Sequence, residues 1–165
     1  MFIGLKSGNE SLDVFASRQP DLRPVPTGIG DSYNYFLYAD FSVNFILSDA
    51  VYQIVIPRGF VSDGTSIPRV LQSLAGITHD GLERRASWTH DWLYSNLGKV
   101  SGVSTIGKDG SWEPSSRVFS RDECDLIFKW LLSDTGTSKD RTNLLYFFVH
   151  TFGGIAWASH MINKK

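Results

Sequence analysis

An α+β fold, with an N-terminal antiparallel β-hairpin or small sheet packed against three C-terminal α-helices, is what this sequence predicts. Three observations predict it. Apolar residues alternate with period two between positions 41 and 56, helix-capping patterns stand at 80–83 and 120–123, and an apolar segment with helical content follows Ser138. In chain order, residues 1–32 carry Gly4, Gly8, Gly28, Gly30 and the Pro20…Pro24-Val25-Pro26 cluster, punctuation that reads as an extended arm. Phe41, Val43, Phe45 and Leu47 form one strand, Ser48-Asp49-Ala50 a turn, and Tyr52, Ile54 and Ile56 the returning strand that Pro57 ends. Residues 57–68 are bracketed by prolines and contain Asp63-Gly64, a pair that favours positive φ at the glycine and so frees backbone N–H groups to point at a ligand. Asp80 as N-cap with Glu83 reaching back opens the first helix, which ends near Asn96 before Gly98. Lys99–Ser116, rich in Gly and Ser, reads as a long loop or flap. Ser120-Arg121-Asp122-Glu123 opens the second helix, which runs to about Ser133, and the third spans Ser138 to about Met161. Residues 1–165 are thus expected to form a single domain, with an arm at 1–32, a hairpin and shaped loop at 33–68, and a helical part at 80–161.

The composition excludes several function classes. Sixteen basic against seventeen acidic residues leave a net charge of −1, with no basic run, so no nucleic-acid partner is expected. One cysteine, Cys124, permits neither an internal disulfide framework nor a cysteine-rich metal site, and its acidic neighbours Glu123 and Asp125 do not activate a thiol. The first six residues lack the pattern of a secretory signal. The most apolar segment, Leu144–Trp157, is shorter than the ~20 residues a membrane-spanning helix needs.

The chemistry-bearing constellation sits on the first two helices. His90 and Tyr94 are four apart and share a helix face, with Asp91 about 100° round from His90. If the second helix packs beside the first, Asp125 can accept a hydrogen bond from one imidazole nitrogen, fix the tautomer, and leave the other nitrogen as a base. Tyr94 can bond the same carboxylate. Asp91 is then free to hold a hard cation with oxygen ligands from a loop, and the backbone at Asp63 and Gly64 can assist at an oxyanion. Such a set suits ester hydrolysis, with His90 as general base towards water. The same residues also suit a different role, a buried polar network locking two helices. His150 and His160, ten apart, have no metal-ligand spacing and read as core or surface.

The ordered set Ile56-Pro57-x-Gly59-Phe60-x-x-Asp63-Gly64-x-Ser66-Ile67-Pro68, then His90-Asp91-x-Leu93-Tyr94, then Ser120-Arg121-x-Glu123-x-Asp125-x-x-Phe128, then Phe152-Gly153 and Trp157, resembles a phage and prophage family catalogued as domain of unknown function 1353. That resemblance implies a phage setting and no particular activity. His90-Asp91-x-x-Tyr94 with a later Asp125 is also similar to the active-site pattern of secreted and viral phospholipase A2. This second resemblance implies His90 as general base, Asp91 as calcium ligand, Tyr94 as support and Asp125 as the group orienting the histidine. The pattern departs from phospholipase A2 in lacking disulfides and in placing its glycine-bearing loop far upstream of the histidine. Together the two resemblances imply a tail-associated phage hydrolase acting on an ester or amide of the host envelope, with calcium as cofactor. A non-catalytic structural tail component and an intracellular inhibitor of a host protein are the alternatives. Other virion proteins or the host envelope are the partners expected, and virion or host cytoplasm the location.

Overall fold

The computed structural model describes residues 19–26, 33–48, 50–62 and 83–163. The elements follow in the order β1 (Leu22–Pro26), β2 (Tyr33–Leu37), β3 (Phe41–Leu47), β4 (Ala50–Ile56), β5 (Val61–Ser62), α1 (Arg84–Ser95), β6 (Val103–Ile106), β7 (Trp112–Pro114), α2 (Arg121–Asp134) and α3 (Lys139–Asn163). This is the α+β arrangement predicted, with most strands before the helices. It has two antiparallel sheets instead of one hairpin, ordered β1-β2-β5 and β3-β4-β6-β7.

The β3–β4 hairpin pairs Phe41 with Ile56 through Leu47 with Ala50. Ser48 takes a φ of 50° at the reversal, the positive value that a two-residue hairpin loop requires. Its buried residues Phe41, Val43, Phe45, Leu47, Ile54 and Ile56 form one wall of the core. Phe119 packs edge-on to both Phe45 and Tyr52, each at 5.7 Å, and so carries the chain from the sheet into α2.

Two expectations are corrected. Part of the N-terminal arm is a strand: Leu22–Pro26 pairs with Tyr33–Leu37 in full antiparallel register. β1 lies at a sheet edge, the place where Pro24 and Pro26 can sit without interrupting a ladder on their other side. Nor is 99–116 an irregular loop. Residues 103–106 and 112–114 form a hairpin, and β6 pairs with β4 at Tyr52↔Thr105 through Ile54↔Val103. The strands are short and their polar Ser104 and Thr105 hide the alternation, while Asp109-Gly110 supplies the turn with Gly110 at φ 83°.

The helical part agrees more closely. α2 has the predicted capping box: Glu123 N–H donates to Ser120 Oγ at 3.3 Å, and Ser120 N–H donates to Glu123 Oε2 at 2.8 Å. α1 begins differently. Asp80 lies outside the described residues, and Glu83 is itself the N-cap residue without a side-chain cap. Its carboxylate turns instead to Arg141 Nε of α3 at 2.5 Å, a charge-assisted bond stronger than a reach back to its own backbone. Arg85, buried on α1, pairs with Asp134 at the end of α2. α1 stops where predicted: Leu97 and Gly98 both take positive φ, Gly98 N–H donates to Leu93 O at 2.8 Å, and Phe119 N–H donates to Gly98 O at 3.0 Å. A Cβ on residue 98 would stand 1.7 Å from the Phe119 carbonyl oxygen, so only glycine fits this crossing. Among the described residues, no helix is long and apolar enough to cross a membrane.

Candidate functional site

The seam between α1 and α2 assembles the predicted residues. His90 Nε2 stands 3.0 Å from Asp125 Oδ1, and Tyr94 OH donates to the same oxygen at 2.5 Å. The two α1 residues meet one carboxylate because a four-residue spacing stacks them on one helix face. The imidazole and phenol rings lie 4.0 Å apart, and Phe128 of α2 covers the imidazole at 5.0 Å. Gly153 of α3 makes room for the phenol, since a Cβ there would stand 2.5 Å from Tyr94 OH. Trp157 packs edge-on to the same ring at 5.0 Å. Gly153 therefore serves close packing of α3 on α1.

Asp125 is more fully occupied than the sequence suggests. Its second oxygen, Oδ2, lies 3.3 Å from His150 Nδ1 and 3.7 Å from Arg121 Nη1. His150, read from sequence as core or surface, is thus a neighbour of the site. The signal that could have found it is geometric: the turn between α2 and α3 is centred near position 136, so an antiparallel return brings residues near 148 beside Asp125. Asp122, Asp125 and His150 present ligand atoms within 4.8 Å of one another. However, Arg121 contacts both carboxylates, so the protein already supplies the positive charge at this cluster.

The carboxylate is ionised and the imidazole neutral. Burial works to raise the Asp125 pKa, but hydrogen bonds from His90 and Tyr94, together with the nearby charge of Arg121, prevail and hold it below the usual range. Burial pushes His90 below the usual 6.5, against the pull of Asp125. Burial, then Asp125, pushes Tyr94 upward, so its phenol remains a donor. Neutral His90 therefore gives its Nε2–H to Asp125 and carries its lone pair on Nδ1. Among the described residues, three buried side-chain nitrogens lack a hydrogen-bond partner: Arg85 Nε, Trp92 Nε1 and His90 Nδ1. The first two are N–H donors, and only the third is a base.

Asp91 points away from this seam. Its Oδ2 accepts from Ser62 Oγ at 2.5 Å, and Ser62 is held by the pairing of β5 with β2. Phe60, packed edge-on to Trp88 at 5.6 Å and Trp92 at 4.9 Å, fastens this stretch to α1. Asp63 and Gly64 lie outside the described residues, but the chain enters that pair from a residue bonded to Asp91.

Depressed pKa values make the fold sensitive to acid. The unfolded chain binds a proton at His90 below about pH 6.5 while the folded chain resists it, so stability falls as pH drops through that value. Asp125 adds a further loss as pH falls below the ordinary 3.8. Melting temperature measured between pH 7 and pH 5 is expected to decline, with His90 contributing at most about 1.4 kcal/mol per pH unit. His90→Gln should flatten that part of the profile, and an unchanged slope would show that His90 is not the responsible group.

Residues 39–149 match a family described as a protein of unknown function (DUF1353). No curated protein and no solved structure matches the chain.

Proposed function

This chain belongs to the DUF1353 family, and from that premise we propose that it is a hydrolase whose general base is His90. The single observation carrying this reading is the imidazole itself, with Nε2 clamped at 3.0 Å by Asp125 and a lone pair on Nδ1 that no group among the described residues uses. A structural histidine satisfies both nitrogens, whereas a base needs one held and one free. In the reaction, a water gives its proton to Nδ1 as its oxygen attacks an ester or amide carbonyl. The tetrahedral oxyanion collapses, the bond to the leaving group breaks, and His90 returns the proton to that group. Asp125 stabilises the imidazolium formed in between, and Tyr94 holds the carboxylate in place. Asp91 would hold calcium, which when bound would polarise the carbonyl, and the backbone N–H groups at Asp63 and Gly64 would assist at the oxyanion. The substrate class we propose is an envelope ester or amide, and the setting a phage tail. The motif resemblances support both.

A second reading has its own support. His90 and Asp125 are 0 % exposed, Tyr94 2 % and Asp91 8 %. Such burial suits a polar clasp joining α1 to α2 in a structural component, and the hydrolase reading requires the wall over Nδ1 to open. Hydrolysis of fluorescent phospholipid vesicles by the purified chain, with and without calcium, separates the two. The hydrolase reading expects turnover, together with a calcium-dependent rise in melting temperature that Asp91→Asn removes. An inactive wild type with no calcium-dependent thermal shift would leave the clasp.

A further inference from the structure

α3 is apolar on the side that faces the protein and on the side that does not. Leu145, Val149 and Gly153 are buried against the rest of the fold. On the outward side Leu144, Phe147, Ile155, Met161 and Ile162 are 45, 57, 77, 52 and 73 % exposed, respectively. No Asp, Glu, Lys or Arg occurs between Thr142 and Asn163, and among the described residues no element covers this side. A helix that is apolar all round is ordinarily buried all round. With ~150–200 Å² per large side chain when free, these five present roughly 500 Å². That is at the upper end of the ~300–600 Å² found for the largest patch on a monomer. It is also more than half of the ~800 Å² each partner covers in a stable interface.

We propose that this face of α3 pairs with α3 of a second copy of the chain, antiparallel about a two-fold axis level with residue 153. Three features favour a second copy. The face is self-complementary in that register: Leu144 stands opposite Ile162, Phe148 opposite Ala158, and Thr151 opposite Ile155, so large side chains meet small ones at the middle of the contact. Charge is confined to the ends of the helix, so the pairing buries none, and a net charge of −1 per chain opposes association only weakly. A lipid surface fits less well, because helices that lie on membranes carry Lys and Arg beside their apolar face, and this stretch has none. The contact, Leu144 to Ile162, is about 27 Å long at 1.5 Å per residue.

Sedimentation velocity on the full chain over a range of concentrations tests the pairing. Wild type is expected at twice the chain mass of 18.5 kDa, and Ile155→Asp and Phe147→Asp at once that mass. Circular dichroism serves as the check that these exposed substitutions leave the fold intact. Thr151→Lys/Ile155→Glu, which places opposite charges across the two-fold axis, is expected to recover the dimer. A wild type that stays monomeric at 100 µM (roughly the upper working range) overturns the proposal, as does a dimer that both aspartates leave intact. A monomer that binds phosphatidylcholine vesicles and loses that binding in Ile155→Asp overturns it in favour of a lipid surface.

Discussion

Asp125→Ala is expected to lower the melting temperature by on the order of 10 °C. The carboxylate is wholly buried and serves partners on both of its oxygens. Removing it strands Tyr94 OH and His90 Nε2, both buried. Each stranded buried group costs about 1–3 kcal/mol, and the emptied volume adds a cavity term. The combined loss of about 3–5 kcal/mol converts at about 2–4 °C per kcal/mol for a chain of this size. Asp125→Asn keeps one acceptor oxygen and should lose less. Scanning calorimetry of the three proteins at pH 7 decides it. A melting temperature for Asp125→Ala within 2 °C (about 1 kcal/mol) of wild type would mean that the seam does not depend on this carboxylate.

His90→Gln is expected to reduce hydrolysis by about 10²–10⁴-fold, the contribution of a well-placed general base, while changing stability little. The glutamine amide can still donate to Asp125, so the clasp survives and only the lone pair of Nδ1 is lost. Tyr94→Phe supplies the contrast. It removes one donor to Asp125 Oδ1 without touching the base, so a smaller loss of turnover is expected, with kcat falling more than KM rises. Because burial depresses the His90 pKa, the acid limb of kcat/KM in the wild type should lie below pH 6.5. An activity in His90→Gln within threefold of wild type would remove His90 from the chemistry, whatever its role in the fold.

The part of the seam that was legible is the part whose geometry is local. A four-residue spacing puts His90 and Tyr94 on one face and a capping box sets the start of the next helix, whereas their meeting with Asp125 rested on the expectation that the two helices pack side by side. His150 and Ser62 were not legible in the same way. His150 reaches Asp125 only through the turn around Gly136, and Ser62 reaches Asp91 only because β5 adds to β2. Both depend on how whole elements return, which spacing along the chain does not encode. Pro24 and Pro26 misdirect for a related reason: proline argues against a strand in general but not against an edge strand, and edge position is a property of the sheet. The hairpin at 103–114 escaped because its strands are four and three residues long, too short for alternation to register.

The crossing at Gly98 has a practical consequence. Residues 99–118 depart and return through a neck where Phe119 N–H meets the Gly98 carbonyl, and β6 and Arg117 tie the base of the excursion to β4 and α2. Its outermost turn, Gly107 to Ser111, is closed by its own hydrogen bonds. Doubling the length of such a loop costs only about 0.6 kcal/mol. An epitope or a small fluorescent reporter grafted between Lys108 and Asp109 should therefore ride on the protein as a passenger, offering a handle for following the molecule in a cell.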